Sequence, residues 1–307
     1  MAYDEESDRV ILFGGLRVAD NNWREASLFD GETWAYEVAS NQWTEMHPTS
    51  GPGPRLATGM TYAAKADRII LFGGVYPGEW GRDETWAYDY NTNTWQQRAS
   101  GPASHLGCRI AYDAESDRII LFGGYDYSND TFFNDTWVYD YNSDTWTEMA
   151  PSTSPSPRNL FAMAYDAESD RVLVWGQDRP EPDATSMWAY DYNSNTWKEM
   201  ISNEGPTRNI RLSMAYDVKA DRIILQSDAD TWAYDYDTNQ WMNLAPAQTI
   251  GMRSKYDMVY STAADRIILF GGSKSSSTFN DETWIYNFEA NMSVSYTHLT
   301  LPTKRIV

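Results

Sequence analysis

Hydrophobic and polar positions follow short patterns along this chain that are typical of β-strands. In Thr85–Tyr90 (TWAYDY) the three rings share one face and the other side chains share the opposite face, which is the two-residue period of a strand. The run Arg118–Gly124 (RIILFGG) is continuously apolar before its glycines, as expected of a strand buried on both faces. No stretch shows helical periodicity. The pattern predicts an all-β protein.

The strand pattern repeats six times, and each unit reads as four short strands. A Trp two residues before a Tyr, the first Trp column, recurs at spacings of 52, 51, 51, 44 and 52 residues, at Trp34, Trp86, Trp137, Trp188, Trp232 and Trp284. A second Trp column follows nine residues later at Trp43, Trp95, Trp146, Trp197 and Trp241, where the sixth unit has Ser293. We expect Trp34, Trp86, Trp137, Trp188 and Trp232 to be core residues. Four-stranded units with a period of about 50 residues are typical of a β-propeller.

The second strands end in a recurrent Phe-Gly-Gly, seen at Phe72–Gly74, Phe122–Gly124 and Phe270–Gly272, with Trp and Tyr at fixed offsets downstream. Over residues 3 to about 291 these motifs resemble the kelch-repeat family. The resemblance implies a kelch-type β-propeller with six recognisable four-stranded blades, incomplete at both ends. Two units depart from the motif, with Gly176-Gln177 and Gln226-Ser227 in place of the double glycine. We expect a different local turn there.

The repeat places the blades at about 1–47, 48–99, 100–150, 151–201, 202–246 and 247–291. The sixth unit has no recognisable fourth strand. Residues 292–307 share nothing with any repeat and are expected to form a tail outside it, artefactual or disordered; a natural extension is the alternative. The chain is therefore expected to be a fragment, whose missing parts could include a signal peptide or a further domain.

Charge and composition narrow the choice of partners. The formal net charge is −20, which repels nucleic-acid backbones and anionic membrane surfaces. Cys108 is the single cysteine, which excludes an intramolecular disulfide and a multi-cysteine metal site. No apolar run approaches the ~20 residues of a membrane-spanning helix, so no membrane insertion is expected. An acidic propeller rich in Asn, Asp, Ser and Thr favours an extracytoplasmic or cell-surface location in a prokaryote.

A set of cationic side chains recurs seven residues before the Tyr of the first strand. Its members are Arg55, His105, Arg158 and Arg253, with Arg208 one position off. If the first strand is innermost, these side chains would surround the mouth of the central channel and could bind an anionic ligand, because guanidinium groups match carboxylates. The alternative is that they pair with neighbouring carboxylates or carbonyls within the fold.

Aromatic residues also lie outside the repeat positions, in the irregular loops between second and third strands. They are Trp23, Trp80, Tyr76, Tyr125, Tyr127, Phe132 and Phe133. Such loops on a regular scaffold often carry function. The rings, Trp23 and Trp80 foremost, could stack on a sugar or on a partner's side chain, or they could fold back over the blades.

The sequence favours a non-catalytic binding module that recognises a protein, peptide or glycan through this loop face, with no catalytic residue, cofactor or metal. The copper site of galactose-oxidase-like kelch proteins uses two His and two Tyr with a cross-linked Cys. Only His47 and His105 lie inside the repeats, and Cys108 has no obvious Tyr partner. Two alternatives stay open: a cofactor-free kelch enzyme acting on a sugar acid, similar to sialate mutarotases, and a structural or adhesive part of a larger surface protein.

Overall fold

The computed structural model describes residues 1–16, 29–76, 81–103, 105–177, 185–202, 205–206, 212–227, 230–275 and 278–297. These residues form 25 β-strands and no helix. Six antiparallel sheets follow one another along the chain, each with its strands in sequence order.

The strands of the first three sheets are β1 (Ala2–Asp4), β2 (Arg9–Leu16), β3 (Phe29–Glu37), β4 (Gln42–Glu45); β5 (Gly59–Ala63), β6 (Arg68–Phe72), β7 (Thr85–Asp89), β8 (Thr94–Gln97); and β9 (Arg109–Asp113), β10 (Arg118–Asp126), β11 (Thr131–Asp140), β12 (Thr145–Met149). Those of the last three are β13 (Ala162–Asp166), β14 (Arg171–Gln177), β15 (Thr185–Asp191), β16 (Thr196–Met200); β17 (Leu212–Asp217), β18 (Arg222–Ser227), β19 (Asp230–Asp235), β20 (Gln240–Asn243); and β21 (Ser254–Ser261), β22 (Arg266–Ser275), β24 (Glu282–Asn287), β25 (Met292–Thr297), with a short β23 (Thr278–Phe279) on β22.

The six sheets are arranged as the blades of a closed propeller. The first strand of each blade contacts the first strands of its two neighbours, and β1 contacts both β5 and β21. The first strands are therefore innermost. Blade one also bonds to blade six, since Trp43 donates its indole N–H to Thr283 Oγ1 at 3.0 Å. The expected six-bladed, four-stranded all-β propeller is confirmed.

The second Trp column fills the wedge between neighbouring blades. In each of five interfaces the indole contacts a ring of the preceding blade, at centroid distances of 4.7 Å for Trp43–Phe270, 5.2 Å for Trp95–Phe13, 4.9 Å for Trp146–Phe72, 4.8 Å for Trp197–Phe122 and 4.9 Å for Trp175–Trp241. Such tilted and edge-on pairs are the favoured geometries of aromatic rings. They explain why aromatic residues recur once per blade.

The first Trp column lies nearer the surface than predicted. Trp34 is buried, as expected, but Trp86, Trp137, Trp188 and Trp232 are only half-buried. The indoles of Trp86 and Trp137 donate to partly exposed carboxylates two residues earlier, Glu84 and Asp135. Trp34 makes the same bond to Glu32 and is nevertheless buried, so the bond alone does not set the exposure of the ring. The core prediction is therefore corrected for these four residues.

The double glycine makes a bulge at the end of the second strand. In blade one the register between β2 and β3 shifts after Phe13, and Gly14 has φ +74°. A Cβ on Gly14 would lie 2.4 Å from the carbonyl oxygen of Arg55 in blade two, so no side chain fits there. Blades four and five lack the double glycine, and their second and third strands pair without a shift. The expected difference in the local turn is present.

The sixth blade corrects the predicted boundary of the repeat. Met292–Thr297 pairs with β24 and completes the sheet, although residues 292–307 were expected to lie outside the repeat. Met292 and Val294 are exposed and Ser293 is buried. In an ordinary half-buried strand the large apolar side chains face the core, whereas here they face solvent. Residues 298–307 lie outside the described residues.

Among the described residues, no aromatic pair like those of the other five interfaces fills the wedge between blades five and six. Ser293 takes the position of the second Trp column, and Gln226 takes the position of the Phe that precedes the double glycine. Thr231 Oγ1 donates to Gln226 Oε1 at 2.9 Å. Gln226 and Thr231 line a small cavity together with Trp284 and Tyr286.

Candidate functional site

One face of the propeller carries the loops between second and third strands together with the connections between blades. We call it the loop face. The chain enters each blade at this face and, after four antiparallel strands, leaves the blade at the same face. The first strand of every blade therefore begins at the loop face. A central channel of about 300 Å³ is lined by the first strands of all six blades and extends to their ends at the loop face.

Arg55 clamps blades one and two together. Its side chain donates to Gly53 O at 3.0 Å, to Gly73 O at 3.2 Å and to Glu84 Oε2 at 2.7 Å. Its carbonyl oxygen accepts the N–H of Gly15 in blade one at 2.9 Å. Burial lowers the pKa of Arg55, but the Glu84 carboxylate opposes that shift. The clamp is therefore an ion pair supported by two carbonyls.

Similar side-chain contacts occur in three other blades, and the bond to the preceding blade recurs at Arg158. Arg158 donates to Gly176 O at 3.2 Å, and its carbonyl accepts from Gly124 of blade three. Arg253 donates to Gly271 O at 3.2 Å and to Glu282 Oε2 at 2.9 Å. His105 takes the same place in blade three, with Nε2 2.8 Å from Asp135 Oδ2 and Nδ1 2.6 Å from Ala103 O.

The predicted ring of cationic side chains around the channel mouth is therefore corrected. Arg55, His105, Arg158 and Arg253 are buried, and none of them lines the channel. Arg55 and Arg253 each donate to the carbonyl of a glycine at the end of the second strand and to the glutamate two residues before the first-column Trp. The alternative interpretation, pairing within the fold, describes what they do here. Arg208, Trp23 and Trp80 lie outside the described residues, and their role in ligand binding stays a prediction.

Blade three presents an aromatic patch on the loop face. Its second and third strands continue beyond the glycine bulge as a hairpin, in which Tyr125 stands opposite Phe132 with ring centroids 4.5 Å apart. Tyr127 at the tip is 48% exposed. Backbone bonds join Tyr125 to Leu106, and Leu160 N–H to Gly107 O at 3.2 Å. We call Leu106, Tyr125, Tyr127, Phe132 and Leu160 the aromatic patch.

Leu160 is held in a strained conformation. It is 63% exposed and has φ +56°, a left-handed conformation that costs an L-residue with a Cβ roughly 1–2 kcal/mol. The corresponding residues of other blades, Ala57, Gly107 and Lys255, also have positive φ. The repeat therefore imposes this bend, and blade four places a large apolar side chain on it. Strained, exposed residues of this kind are concentrated at binding sites.

The channel mouth carries charged residues that the repeat alone does not predict. Three residues before the first-strand Tyr, blades two and four have Gly59 and Ala162, whereas blade three has Arg109 and blade six has Asp257. Both charged residues line the channel. Burial acts to raise the pKa of Asp257, but the Met1 ammonium at 2.7 Å and Arg109 outweigh it and hold that pKa below its usual value. The signal in the sequence that could have identified Arg109 and Asp257 is a charged residue at a repeat position where other blades have small residues.

Other chemistry is sparse in the part of the chain that the structure describes. No group of three or more His, Cys, Asp or Glu side chains is arranged there to hold a metal ion. Cys108 is buried, and burial raises the pKa of its thiol to about 12, so the reactive thiolate is suppressed. None of the described residues forms a helix able to cross a membrane.

Fold and repeat together define a kelch-type β-propeller, an architecture that indicates a protein-interaction module. The family model described as the Attractin/LZTR1 beta-propeller matches residues 26–216. The chain belongs to this family.

Proposed function

We propose that the protein is a non-catalytic binding module that recognises a protein or peptide with the loop face, centred on the aromatic patch. The observation that supports it most directly is the exposed Tyr127 beside Tyr125 and Phe132, at ring centroid distances of 6.0 and 4.5 Å from Tyr125, with the exposed Leu160 bonded through its backbone to Gly107 of blade three. Aromatic and aliphatic anchors of this type supply most of the binding energy in protein interfaces.

The patch rests on a rigid base. His105 stacks on Phe133 with ring centroids 4.2 Å apart, beneath the hairpin, and is itself fixed by Asp135. Tyr125 donates its hydroxyl to Asp130 Oδ1 at 2.7 Å. A surface whose side chains are already ordered loses little conformational entropy on binding. This supports recognition of a partner without a large rearrangement of the propeller.

Charge near the patch indicates the partner's chemistry. Asn129 donates to the Asp126 carboxylate, which holds the pKa of Asp126 below its usual value. The hairpin therefore carries fixed negative charge beside its rings. The proposed partner is a segment with an aromatic or aliphatic anchor next to a Lys or Arg, since opposite charges at the rim of an interface favour association.

A selection experiment tests the proposal. Wild-type protein is screened in parallel against a random peptide library and a glycan array, and the binders are then measured on Leu160→Asp and Tyr127→Ala. Met242→Asp is the matched control, because Met242 is also exposed but lies on an outer strand, β20. Selected peptides should bind both patch variants at least ten-fold more weakly and the control normally. Binders restricted to glycans, or peptides indifferent to both patch variants, would contradict the proposal.

A further inference from the structure

Arg109 is a cationic side chain in the lining of the central channel that forms no ion pair among the described residues. Arg109 donates Nε–H to Phe161 O at 3.0 Å, and within the described residues its guanidinium makes no other hydrogen bond and no ion pair. The side chain lines the channel at the end of β9 that meets the loop face. It differs from Arg55 and Arg253, whose guanidinium groups pair with glutamates.

The carboxylate that also lines the channel mouth is already engaged. Asp257 accepts from the Met1 ammonium at 2.7 Å, from Ser213 Oγ at 3.0 Å and from the N–H of Met258 at 3.0 Å. No Arg109–Asp257 ion pair forms. Arg109 thus places a cationic side chain at the channel mouth of a protein whose formal net charge is −20.

The free donors of Arg109 have a defined geometry. A guanidinium has five N–H donors, and the bond to Phe161 uses the one on Nε. The remaining N–H groups are on the two terminal nitrogens, which form a planar fork. That fork matches the two oxygens of a carboxylate.

The walls of the channel suit a small or narrow group. They combine small residues with a tyrosine from each first strand and with a methionine at the same position of five blades, namely Met1, Met60, Met163, Met214 and Met258. Methionine side chains adapt their shape to what they contact. The channel volume of about 300 Å³ is spread along all six first strands, so a folded partner cannot enter.

We propose that Arg109 makes the mouth of the central channel a binding site for a carboxylate, supplied either by a free small carboxylic acid or by the C-terminus of a peptide. This site is separate from the aromatic patch, so the result of its test does not depend on the proposed function.

Ligand-dependent thermal stability of the wild-type protein provides the first test. Acetate is compared with acetamide, its neutral analogue, and with chloride and sulfate at constant ionic strength. A ligand that binds only the folded state raises the melting temperature with concentration. Acetate should do so and acetamide should not. Equal effects of acetate, chloride and sulfate, or none from any of them, would overturn the proposal.

Variants then locate the site and identify its source of carboxylate. Arg109→Met should weaken acetate binding at least ten-fold, and Arg109→Lys should weaken it less, because it keeps the charge but loses the fork. Arg118→Met is the control, because Arg118 begins β10, does not line the channel and pairs with Asp140 at 3.2 Å. To identify the source, a short peptide with a free C-terminus is compared with its C-terminal amide and with acetate. Ten-fold tighter binding of the free peptide than of both others identifies a peptide C-terminus as the ligand. Tighter binding of acetate than of the free peptide identifies a small carboxylic acid. Unchanged acetate affinity in Arg109→Met would overturn the site.

Discussion

Trp197 in blade four donates its indole N–H to Thr136 Oγ1 in blade three at 2.9 Å. The same bond joins Trp95 to Thr33 and Trp146 to Thr85 at 2.9 Å each. The Thr side chains are buried. Each bond therefore fixes the position of an indole that would otherwise only fill space between two blades.

Removing this bond should destabilise the propeller without breaking it. Thr136→Val keeps the side-chain volume and leaves the indole N–H buried without an acceptor, which typically costs ~1–3 kcal/mol. Trp197→Ala also opens a cavity and should cost roughly 3–5 kcal/mol. Urea titration followed by tryptophan fluorescence measures both. Thr147→Val, at an exposed position on β12, should change little. Equal stability of Thr136→Val and Thr147→Val would show that the inter-blade bond contributes nothing.

Substituting the Arg55 clamp should have a larger effect than breaking a surface ion pair. Arg55→Ala removes the buried cation that pairs with Glu84 and the side-chain donor of two carbonyls, and loss of one partner of a buried pair costs about 3–5 kcal/mol. Arg68→Ala removes a more exposed pair with Asp89, at 2.8 Å, and should cost about 0–1 kcal/mol. The two free energies of unfolding are compared at the same ionic strength. A loss below 1 kcal/mol for Arg55→Ala would mean that the clamp does not hold the blades together.

Leu160→Gly should leave stability unchanged or raise it. Glycine adopts φ +56° without strain, so the variant recovers about 1 kcal/mol while losing a side chain that is mostly in water. Lys255→Gly, at the corresponding bend of blade six with φ +58°, is the matched substitution. Thermal unfolding of both variants checks the sign. A clear destabilisation of Leu160→Gly would show that Leu160 is a packing residue of blade four and not a side chain displayed to solvent.

Asp166 makes stability depend on pH. Burial raises its pKa above the ordinary value, in spite of backbone N–H donors from Ser169 and Glu168 that oppose the shift. The folded state therefore binds the proton more tightly, and the stability this contributes is present below the unfolded pKa and is lost as pH rises through the folded one. Asp166→Asn keeps the acceptor for Ser169 but does not titrate. Its free energy of unfolding relative to wild type should be higher at pH 7 than at pH 4; a difference that does not change with pH would contradict the assignment.

The fold could be predicted from the sequence because its information is repeated. Six copies of one strand pattern specify the blades, and the double glycine marks the bulge that Arg55 and Arg158 approach through their carbonyls. The role of those arginines could not be predicted in the same way, since a cationic side chain at a fixed spacing is compatible with a ligand or with an internal carboxylate. Only the position of Glu84 relative to Arg55 in three dimensions decides between them.

Single departures from the repeat were harder to interpret. Arg109 occupies a position that is glycine or alanine in two other blades, and a sequence gives no reason to rank one such substitution above others. The strand at Met292–Thr297 was missed because Ser293 replaces the Trp that marks the other outer strands. Its alternation of large and small side chains was present, but the large ones face solvent.

The cavity between blades five and six gives the ring an unequal distribution of strength. Five interfaces are closed by a pair of aromatic rings, whereas Gln226 and Ser293 leave the remaining one with a small void. A closed ring must open at one interface before its blades can separate, and partial opening occurs where least free energy is required. Native-state hydrogen exchange should therefore show amides along β17 and β21 exchanging through a lower-energy opening than those of β9 and β13. The interface between blades five and six would then be the first to open when the propeller unfolds.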